Sequence, residues 1–137
     1  MERSNEVSKI VTFYIKRENR MEQQIEILKE ANRYILKVNN GVEIAITYFR
    51  NNELNKGYKL IGEITEGLQW LYDVVRLTQC AQVDKMDATI LKETCAEMIE
   101  AIENKDSDLL ADLLEFEVLE RIKIWEKQLT NNVKTYN

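Results

Sequence analysis

The chain has 137 residues and a net charge of −5, with 45% hydrophobic residues, 31% charged residues, no proline and no histidine. This composition predicts a single folded domain with a real core, and it argues against nucleic acid as a partner because phosphate binding relies on clusters of Lys and Arg. The lack of histidine excludes Ser-His-Asp and Cys-His catalysis, zinc hydrolases of the HExxH type, and di-iron bundles built on Glu-x-x-His.

The first twenty residues allow two interpretations. The stretch KIVTFYIK is rich in β-branched and aromatic residues, which is typical of strands. Its apolar residues also have the spacing of one helical face: Val7, Ile10, Val11, Tyr14 and Ile15. Because no other part of the chain offers a strand partner and a lone strand is unstable, we predict a helix. If residues 7–16 were a strand instead, its partner would be another copy of the chain, and the result would be a dimer.

Two helices are predicted next. From Glu22 to about Tyr48 the apolar residues recur at steps of three and four, and the Asn-Asn-Gly at 39–41 does not break their phase. The Asn-rich stretch 49–57 is typical of a turn. A second helix is then predicted from about Asn55 to Gln79.

Two short polar joints separate the remaining helices. A third helix follows the joint at 81–88 and ends near Glu103, and the last helix runs from about Asp108 to Leu129. The apolar stripe of the third helix is Leu91, Cys95, Met98 and Ile102. The side chains that could cap these two helices are Asp84 or Asp87, and Asp106 or Ser107. Residues 130–137 are predicted to be a frayed tail.

The pattern as a whole predicts an all-α fold. Because proline concentrates in turns and loops, its absence favours a few long helices with short joints. We therefore predict an antiparallel helical bundle of four to five helices, forming one domain over residues 1–137. Residues 1–20 form the uncertain N-terminal segment of this domain.

The second helix contains two glycines and a tryptophan that bear on packing. Gly67 falls at the edge of the apolar face and predicts a tight helix crossing, so that Gly67→Leu should be badly tolerated. Gly62 falls on the opposite side, where either a partner or a neighbouring helix passes close by, or the fold simply tolerates a glycine. Trp70 either covers the rim of the core with its indole N–H bonded to a carboxylate, or forms a recognition patch with Glu63 and Glu66.

The last helix carries a predicted polar pair and a predicted contact surface. Glu117 and Arg121 lie four residues apart inside the expected core stripe, which predicts a buried pair with a structural role or, less often, a site. Phe116 and Leu119 are predicted to be exposed on the charged face. They indicate either a contact between two copies or the place where the N-terminal segment packs. With Gly62 and Trp70 they are the candidate residues for partner contact.

The acidic residues offer one route to catalysis. Glu63 and Glu66, and again Glu97 and Glu100, form ExxE pairs like those with which all-α nucleotide pyrophosphohydrolases bind Mg²⁺. Acids at this spacing are also common on any solvated helix, no ExxD follows at the right place, and no basic phosphate grip or glycine-rich loop accompanies them. We therefore expect no enzymatic activity and no cofactor, with a magnesium site at these four glutamates as the alternative.

The sequence also bears on location and on thiol chemistry. No apolar run approaches the roughly 18 residues of a membrane span, and the N-terminus lacks the basic start and small-residue cleavage site of a secretory signal. We therefore expect a cytoplasmic protein without a membrane partner. Cys80 and Cys95 have no metal-type CxxC spacing, so both thiols are expected to be free and partly buried.

Two segments resemble a family of small, uncharacterised helical proteins of low-GC Gram-positive bacteria. The first is EGLQWLYDVVRL, with a GLxWL pattern at Gly67, Leu68, Trp70 and Leu71. The second is DLLADLLEFEVLERIKIWEK, with a DxLxDLLExE pattern at Asp108, Leu110, Asp112, Leu113, Leu114, Glu115 and Glu117, before Trp125. The resemblance covers roughly the last hundred residues. It implies a similarity to small acidic flagellar export chaperones, and it assigns no role to any residue.

These observations favour a non-enzymatic protein that binds another protein. We expect an adaptor or chaperone-like bundle whose partner is helical, because such helices are suited to pairing with an amphipathic helix. A Mg²⁺-dependent all-α nucleotide pyrophosphohydrolase and a purely structural homodimer are the alternatives. A long apolar groove in the fold would favour the chaperone, and acidic pairs splayed apart in water would argue against the enzyme.

Overall fold

The structure, a computed structural model, describes residues 2–137 and the side chains of residues 6–17 and 19–137. Within that range every regular element is helical, and the predicted all-α bundle is confirmed. The helices are α1 (Glu2–Arg50), α2 (Leu54–Leu77), α3 (Thr89–Glu103), α4 (Ser107–Leu113) and α5 (Leu119–Thr135). A π-helical turn, Leu114–Val118, joins α4 to α5, so that the two form one interrupted helix.

The first helix is much longer than the bundle it enters. With 49 residues, α1 is about 74 Å long, whereas α2 has 24 residues and is about 36 Å long. The Asn-Asn-Gly at 39–41 lies inside α1 without a break, and the predicted helix at the N-terminus is confirmed. The described side chains of residues 6–20 are all exposed, so this part of α1 extends beyond the bundle.

The buried side chains of α1 alternate in steps of three and four. They are Leu28, Ala31, Ile35, Val38, Val42, Ala45 and Phe49. This 3.5-residue period is that of a coiled-coil seam, along which a helix packs against its neighbours. Both α2 and α5 pack on this seam, which makes α1 the central helix of the bundle.

Two glycines let α2 approach α1 closely. A Cβ atom at Gly67 would lie 3.0 Å from the Tyr34 hydroxyl and 3.1 Å from Cγ2 of Val38. A Cβ atom at Gly57 would lie only 2.7 Å from the ring of Phe49. All three distances are shorter than ordinary van der Waals contact, so a larger residue at either position would push the helices apart or move a neighbouring side chain. Gly67 thus lies at the crossing of α1 and α2.

The π-helical turn changes the phase of the last helix. Asp106 is the N-cap of α4, and its carboxylate accepts a hydrogen bond from the N–H of Leu109 at 3.0 Å. At the far end of the turn, the N–H of Leu119 bonds to the carbonyl of Leu114, five residues back. A π turn accommodates one extra residue, so the residues after it are rotated relative to an uninterrupted helix. The buried residues Ile122 and Trp125 follow this shifted phase.

The predicted frayed tail at 130–137 is instead helical through Thr135, and that prediction was wrong. The side chain of Asn132 is fully buried and binds the loop between α2 and α3. Its Oδ1 accepts hydrogen bonds from the N–H groups of Val83 and Asp84, each at 2.8 Å, and its Nδ2 donates to the carbonyl of Asp84 at 2.9 Å. The Tyr136 hydroxyl donates to the carbonyl of Ala81 at 2.6 Å. These bonds hold the C-terminal turns in place.

The capping predictions for α3 were only partly correct. The N-cap position is Ala88, and Asp87 accepts a hydrogen bond from the N–H of Thr89 at 2.9 Å. Asp84 does not cap α3. It accepts hydrogen bonds from Gln128 and Asn131 of α5, and these bonds lower the pKa of its carboxyl group. The loop before α3 is therefore fastened to α5.

Candidate protein-binding groove

An apolar groove of about 480 Å³ lies between α2 and α3. It exists because α3 packs on α4 and the π-helical turn rather than on α2, so the facing sides of α2 and α3 stay apart. Its lining residues on α2 are Thr65, Leu68, Gln69 and Tyr72; those on α3 are Leu91, Lys92, Cys95, Ala96, Met98, Ile99 and Ile102. This set is called the α2–α3 groove below.

The spacing of the lining residues shows that one face of each helix borders the groove. On α2 the lining residues follow the i, i+3, i+4, i+7 pattern of one face, starting at Thr65. On α3 the face is wider. Leu91 and Met98 are buried and form the floor, whereas Ile99 is 55% exposed and forms an open wall. Only part of the apolar stripe predicted for α3 is therefore buried in the core. Ile99, which lies beside that stripe, was the sign in the sequence that the apolar face of α3 is wider than predicted.

The two helices of the α2–α3 groove differ in charge. On α3 a single cation, Lys92, stands against four exposed glutamates: Glu93, Glu97, Glu100 and Glu103. On α2 three acidic residues are balanced by three basic ones. The lining itself contains no carboxylate, and its one charged residue is Lys92. The groove is therefore a largely apolar cleft, one of whose helices has an excess of acidic residues.

Cys95 contributes to the wall of the groove, and its thiol is only weakly nucleophilic. It is half-buried, and burial raises the pKa of its thiol, so the neutral form predominates at neutral pH. Both cysteines are free, as predicted, but Cys80 is exposed rather than partly buried. The two thiols consequently differ in their access to solvent, and this difference allows a chemical test of whether the groove is occupied.

Phe116 and Leu119 do not form the predicted joint contact surface. Phe116, in the π-helical turn, is 66% exposed, whereas Leu119 is 9% exposed and packs in the core. The prediction assumed an uninterrupted helix, in which these residues share a face. The extra residue of the π turn rotates Leu119 inward, and this rotation separates the two side chains.

The predicted buried pair of Glu117 and Arg121 was wrong for the same reason. Glu117 is exposed, and its carboxylate accepts a hydrogen bond from the Thr94 hydroxyl of α3 at 3.2 Å. Arg121 is half-buried and lies on the side of Asp87. Hydrogen bonds from Thr89 lower the pKa of the Asp87 carboxyl group, and the positive charge of Arg121 lowers it further. The two side chains therefore interact with α3 and its preceding loop rather than with each other.

Gly62 and Trp70 lie in different surroundings on α2. No atom lies within 4 Å of a Cβ position at Gly62, and the Gly62 carbonyl accepts a hydrogen bond from the groove-lining Thr65 at 2.9 Å. Gly62 is thus an open position beside the groove. Trp70 is half-buried on the α1 side, where its ring meets that of Tyr34 edge-on with centroids 5.2 Å apart. Trp70 therefore does not reach the groove.

The four glutamates considered as metal ligands are all exposed: Glu63, Glu66, Glu97 and Glu100. Among the residues that the structure describes, there is no group of three or more Asp, Glu or Cys side chains that could hold a metal ion. The structure therefore does not bring the ExxE pair of α2 and the ExxE pair of α3 into one cluster.

One ionic cluster outside the groove was not predicted. Arg50, in the last turn of α1, donates hydrogen bonds to Asp112 at 2.7 Å and Glu115 at 3.0 Å. These bonds raise the pKa of the guanidinium group. The only sequence signal was a cation at the C-terminal end of a helix. The cluster joins the end of α1 to the π-helical turn and its preceding helix.

Comparison with known proteins adds a family but no established activity. The model of a family described as "Domain of unknown function (DUF8042)" matches residues 26–128. The match begins where α1 enters the bundle and includes both helices of the groove. No curated protein and no solved structure matches the chain. Of the helices within residues 2–137, none combines the length and the apolar character needed to cross a membrane.

Proposed function

We propose that this chain, which belongs to the family described as "Domain of unknown function (DUF8042)", is a non-enzymatic protein-binding module that receives an amphipathic helix of a partner protein in the α2–α3 groove. The observation that carries the proposal is the groove itself, a largely apolar cleft between two helices of a chain with a net charge of −5. Helix-in-groove recognition uses such a cleft, with partner side chains at i, i+3, i+4 and i+7 as anchors.

The dimensions of the groove suit a short helix. The lining residues of α3 extend from Leu91 to Ile102, a distance of about 17 Å along the helix axis, which is about three turns. Buried side chains form the floor and Ile99 forms an exposed wall, so an inserted apolar face would remove exposed apolar surface from water. The few polar groups of the lining, chiefly Gln69 and Lys92, lie at its exposed edges.

The charge around the groove specifies the partner further. One lysine stands against four exposed glutamates on α3 and the net charge of the chain is −5, so an acidic helix would meet long-range repulsion. A helix with a basic polar face would be attracted. The expected partner is therefore an amphipathic, basic helix, and its binding should weaken as salt screens the charges.

The more specific roles remain predictions. An apolar groove is the feature expected of a chaperone-like protein or an adaptor. The groove supports these roles over that of a nucleotide pyrophosphohydrolase, because its lining carries no carboxylate. The likeness to flagellar export chaperones and the cytoplasmic location are proposals of the same kind, to which the groove adds no further support.

The test is a titration of the full chain with two labelled synthetic helical peptides. Both have leucines at i, i+3, i+4 and i+7; one has lysines on its other face, and its twin has glutamates. We expect the lysine peptide to bind at least about tenfold more tightly than its twin at low salt. Occupancy is read independently from the alkylation rate of Cys95, which should slow when the groove is filled.

Two variants make the titration specific to the groove. Ile99→Glu places a charge in the exposed wall, and Ile124→Glu places the same charge on the exposed side of α5, where the isoleucine is 45% exposed. We expect Ile99→Glu to weaken binding of the lysine peptide by about tenfold or more, and Ile124→Glu to leave it unchanged. Equal binding of the lysine peptide by both variants would refute the proposal.

A further inference from the structure

The N-terminal segment, residues 6–20 of α1, is a helix with an exposed apolar face. Its large apolar side chains, each at least half exposed, are Val7, Ile10, Val11, Phe13, Tyr14 and Ile15. An isolated helix of this length is only marginally stable in water, and most helical stability in proteins comes from packing an apolar face. A contiguous apolar face of this kind marks an interaction site.

The apolar face of this segment continues the buried seam of α1. Stepping back from Leu28 by alternating four and three residues leads to Met21, Tyr14, Ile10 and Val7, with polar residues at the two intervening positions. Downstream, the same 3.5-residue repeat is covered by α2 and α5. Upstream of Met21, within one copy of the chain, its described side chains are exposed. The segment therefore has the pattern of a helix that packs against other helices.

The segment is basic, whereas the rest of the chain is acidic. Residues 6–20 contain four basic residues against two acidic ones, Glu6 and Glu18, in a chain whose net charge is −5. The basic residues are Lys9, Lys16, Arg17 and Arg20. Two such segments paired with each other would bring like charges together. The remainder of a second copy, with its excess of acidic residues, instead attracts this basic segment.

The segment also fits the groove in length, and it cannot reach its own. From Val7 to Ile15 the apolar face extends about 12 Å, which is within the groove's span of about 17 Å. Because α1 is one uninterrupted helix from Glu2 to Arg50, the segment of a given copy points away from the bundle of that copy. Only a second copy can bring a segment to this groove.

We propose that the N-terminal segment of one copy docks in the α2–α3 groove of a second copy. This inference rests on the proposed function, because it names an occupant of the same groove. Each copy carries one segment and one groove, so two copies satisfy each other reciprocally. The exposed apolar face of the segment and the exposed wall at Ile99 are then buried together, and the net negative charge of the second copy attracts the basic segment.

The experiment measures the mass of the full chain in solution by light scattering after size exclusion, with two disabling variants. Ile10→Glu disables the segment and Ile99→Glu disables the groove; both residues are exposed, so the fold, checked by circular dichroism, should persist. Thr12→Glu, on the polar side of the segment, and Ile124→Glu are the controls of matched charge. We expect dimers for the unmodified chain and both controls, and at least about tenfold weaker dimerisation for each disabling variant.

The decisive sample is a mixture of the two disabled variants. Docking of segment into groove predicts that Ile10→Glu, with an intact groove, and Ile99→Glu, with an intact segment, form a heterodimer together although each alone is monomeric. If Ile99→Glu remains a dimer while Ile10→Glu is monomeric, the segments pair with each other and the inference is overturned. A monomeric unmodified chain at concentrations up to about 100 µM overturns it as well.

The failure of this inference can be distinguished from failure of the proposed function. A peptide of residues 6–20 and the unrelated lysine peptide are both titrated into full-length Ile10→Glu. In this variant the N-terminal segments are disabled, so they cannot occupy the groove of another copy. Binding of both peptides, lost in a double variant that also carries Ile99→Glu, supports both proposals. Binding of the unrelated peptide alone retains the proposed function and overturns the inference. Binding of neither overturns both.

Discussion

The glycines of α2 give a prediction in which the same substitution has opposite signs at two positions. In Gly57→Ala the new Cβ atom would lie 2.7, 2.8 and 3.0 Å from three carbons of the Phe49 ring. That ring is buried and meets the ring of Tyr58 edge-on at 5.1 Å, so it cannot withdraw without disturbing another contact. In Gly62→Ala no atom lies within 4 Å of the new Cβ atom.

The expected magnitudes follow from two opposing effects. Replacing a glycine by alanine inside a helix stabilises the fold by roughly 0.5–1 kcal/mol, because it restricts the unfolded chain. Overpacking against a buried ring costs about 1–3 kcal/mol. Gly62→Ala should therefore gain roughly 0.5–1 kcal/mol, and Gly57→Ala should lose roughly 0.5–2 kcal/mol. For a chain of 137 residues these values correspond to a Tm higher by about 2–4 °C and lower by about 2–8 °C.

The assay is thermal and urea unfolding of the two variants and the unmodified chain, followed by circular dichroism and by the fluorescence of Trp70 and Trp125. Protein concentration is kept equal, because self-association adds to apparent stability. Gly67→Leu, which forces a larger side chain against Tyr34, should be less stable than either alanine variant. If Gly57→Ala and Gly62→Ala shift the Tm in the same direction, the room around the new Cβ atom does not determine the effect of the substitution.

Three further predictions concern the C-terminal half. Asn132→Ala removes three hydrogen bonds between a buried side chain and the α2–α3 loop. The free energy of unfolding measured in urea should fall by about 2–4 kcal/mol. An unchanged midpoint would mean that water replaces those bonds. Deletion of Phe116 removes the extra residue of the π turn and should leave a folded helical chain. Deletion of Lys123, in the regular helix α5, rotates all later residues of that helix away from the core and should unfold the chain. Circular dichroism measures both outcomes. The pKa of Asp84 is lower in the folded chain than in the unfolded chain, so its carboxylate stabilises the fold at pH values above the unfolded pKa. This contribution is lost as the pH falls below about 4. Asp84→Asn should therefore make stability less dependent on pH in this range, as measured by fluorescence during acid unfolding.

Long periodic helices were predictable because their pattern repeats over many turns. The seam of α1 repeats from Leu28 to Phe49 without a fault, and a glycine at its crossing with α2 stands out against that regularity. The π turn was not predictable from an assumed rotation of 100° per residue, since the extra residue appears only as a change of phase. An unbroken helix keeps Val118 and Trp125 within about 80° of Leu110, whereas it places Leu119, which is buried, about 180° away.

The C-terminal turns were missed because of residue type rather than spacing. Asn132 follows Leu129 by three residues and precedes Tyr136 by four, so it continues the buried stripe. A polar residue at such a position suggests a frayed end unless its bonding partners are known, and the partners here lie about fifty residues away in the loop before α3. The groove escaped prediction for a related reason: Ile99 marks a wider apolar arc on α3, but whether another helix covers that arc depends on where α3 packs.

The two expectations of a helical partner and of a homodimer need not compete, because one groove can serve both. If the segment of a second copy fills the groove, a partner helix binds only the fraction of grooves that is free, and its apparent Kd rises by the inverse of that fraction. With about one groove in ten free, a partner would bind about tenfold more weakly than to Ile10→Glu, in which the competing segment is disabled. The ratio of these two affinities, measured with the lysine peptide against protein concentration, should grow as the chain dimerises. A ratio that stays at one across the dimerisation range would show that segment and partner use different surfaces.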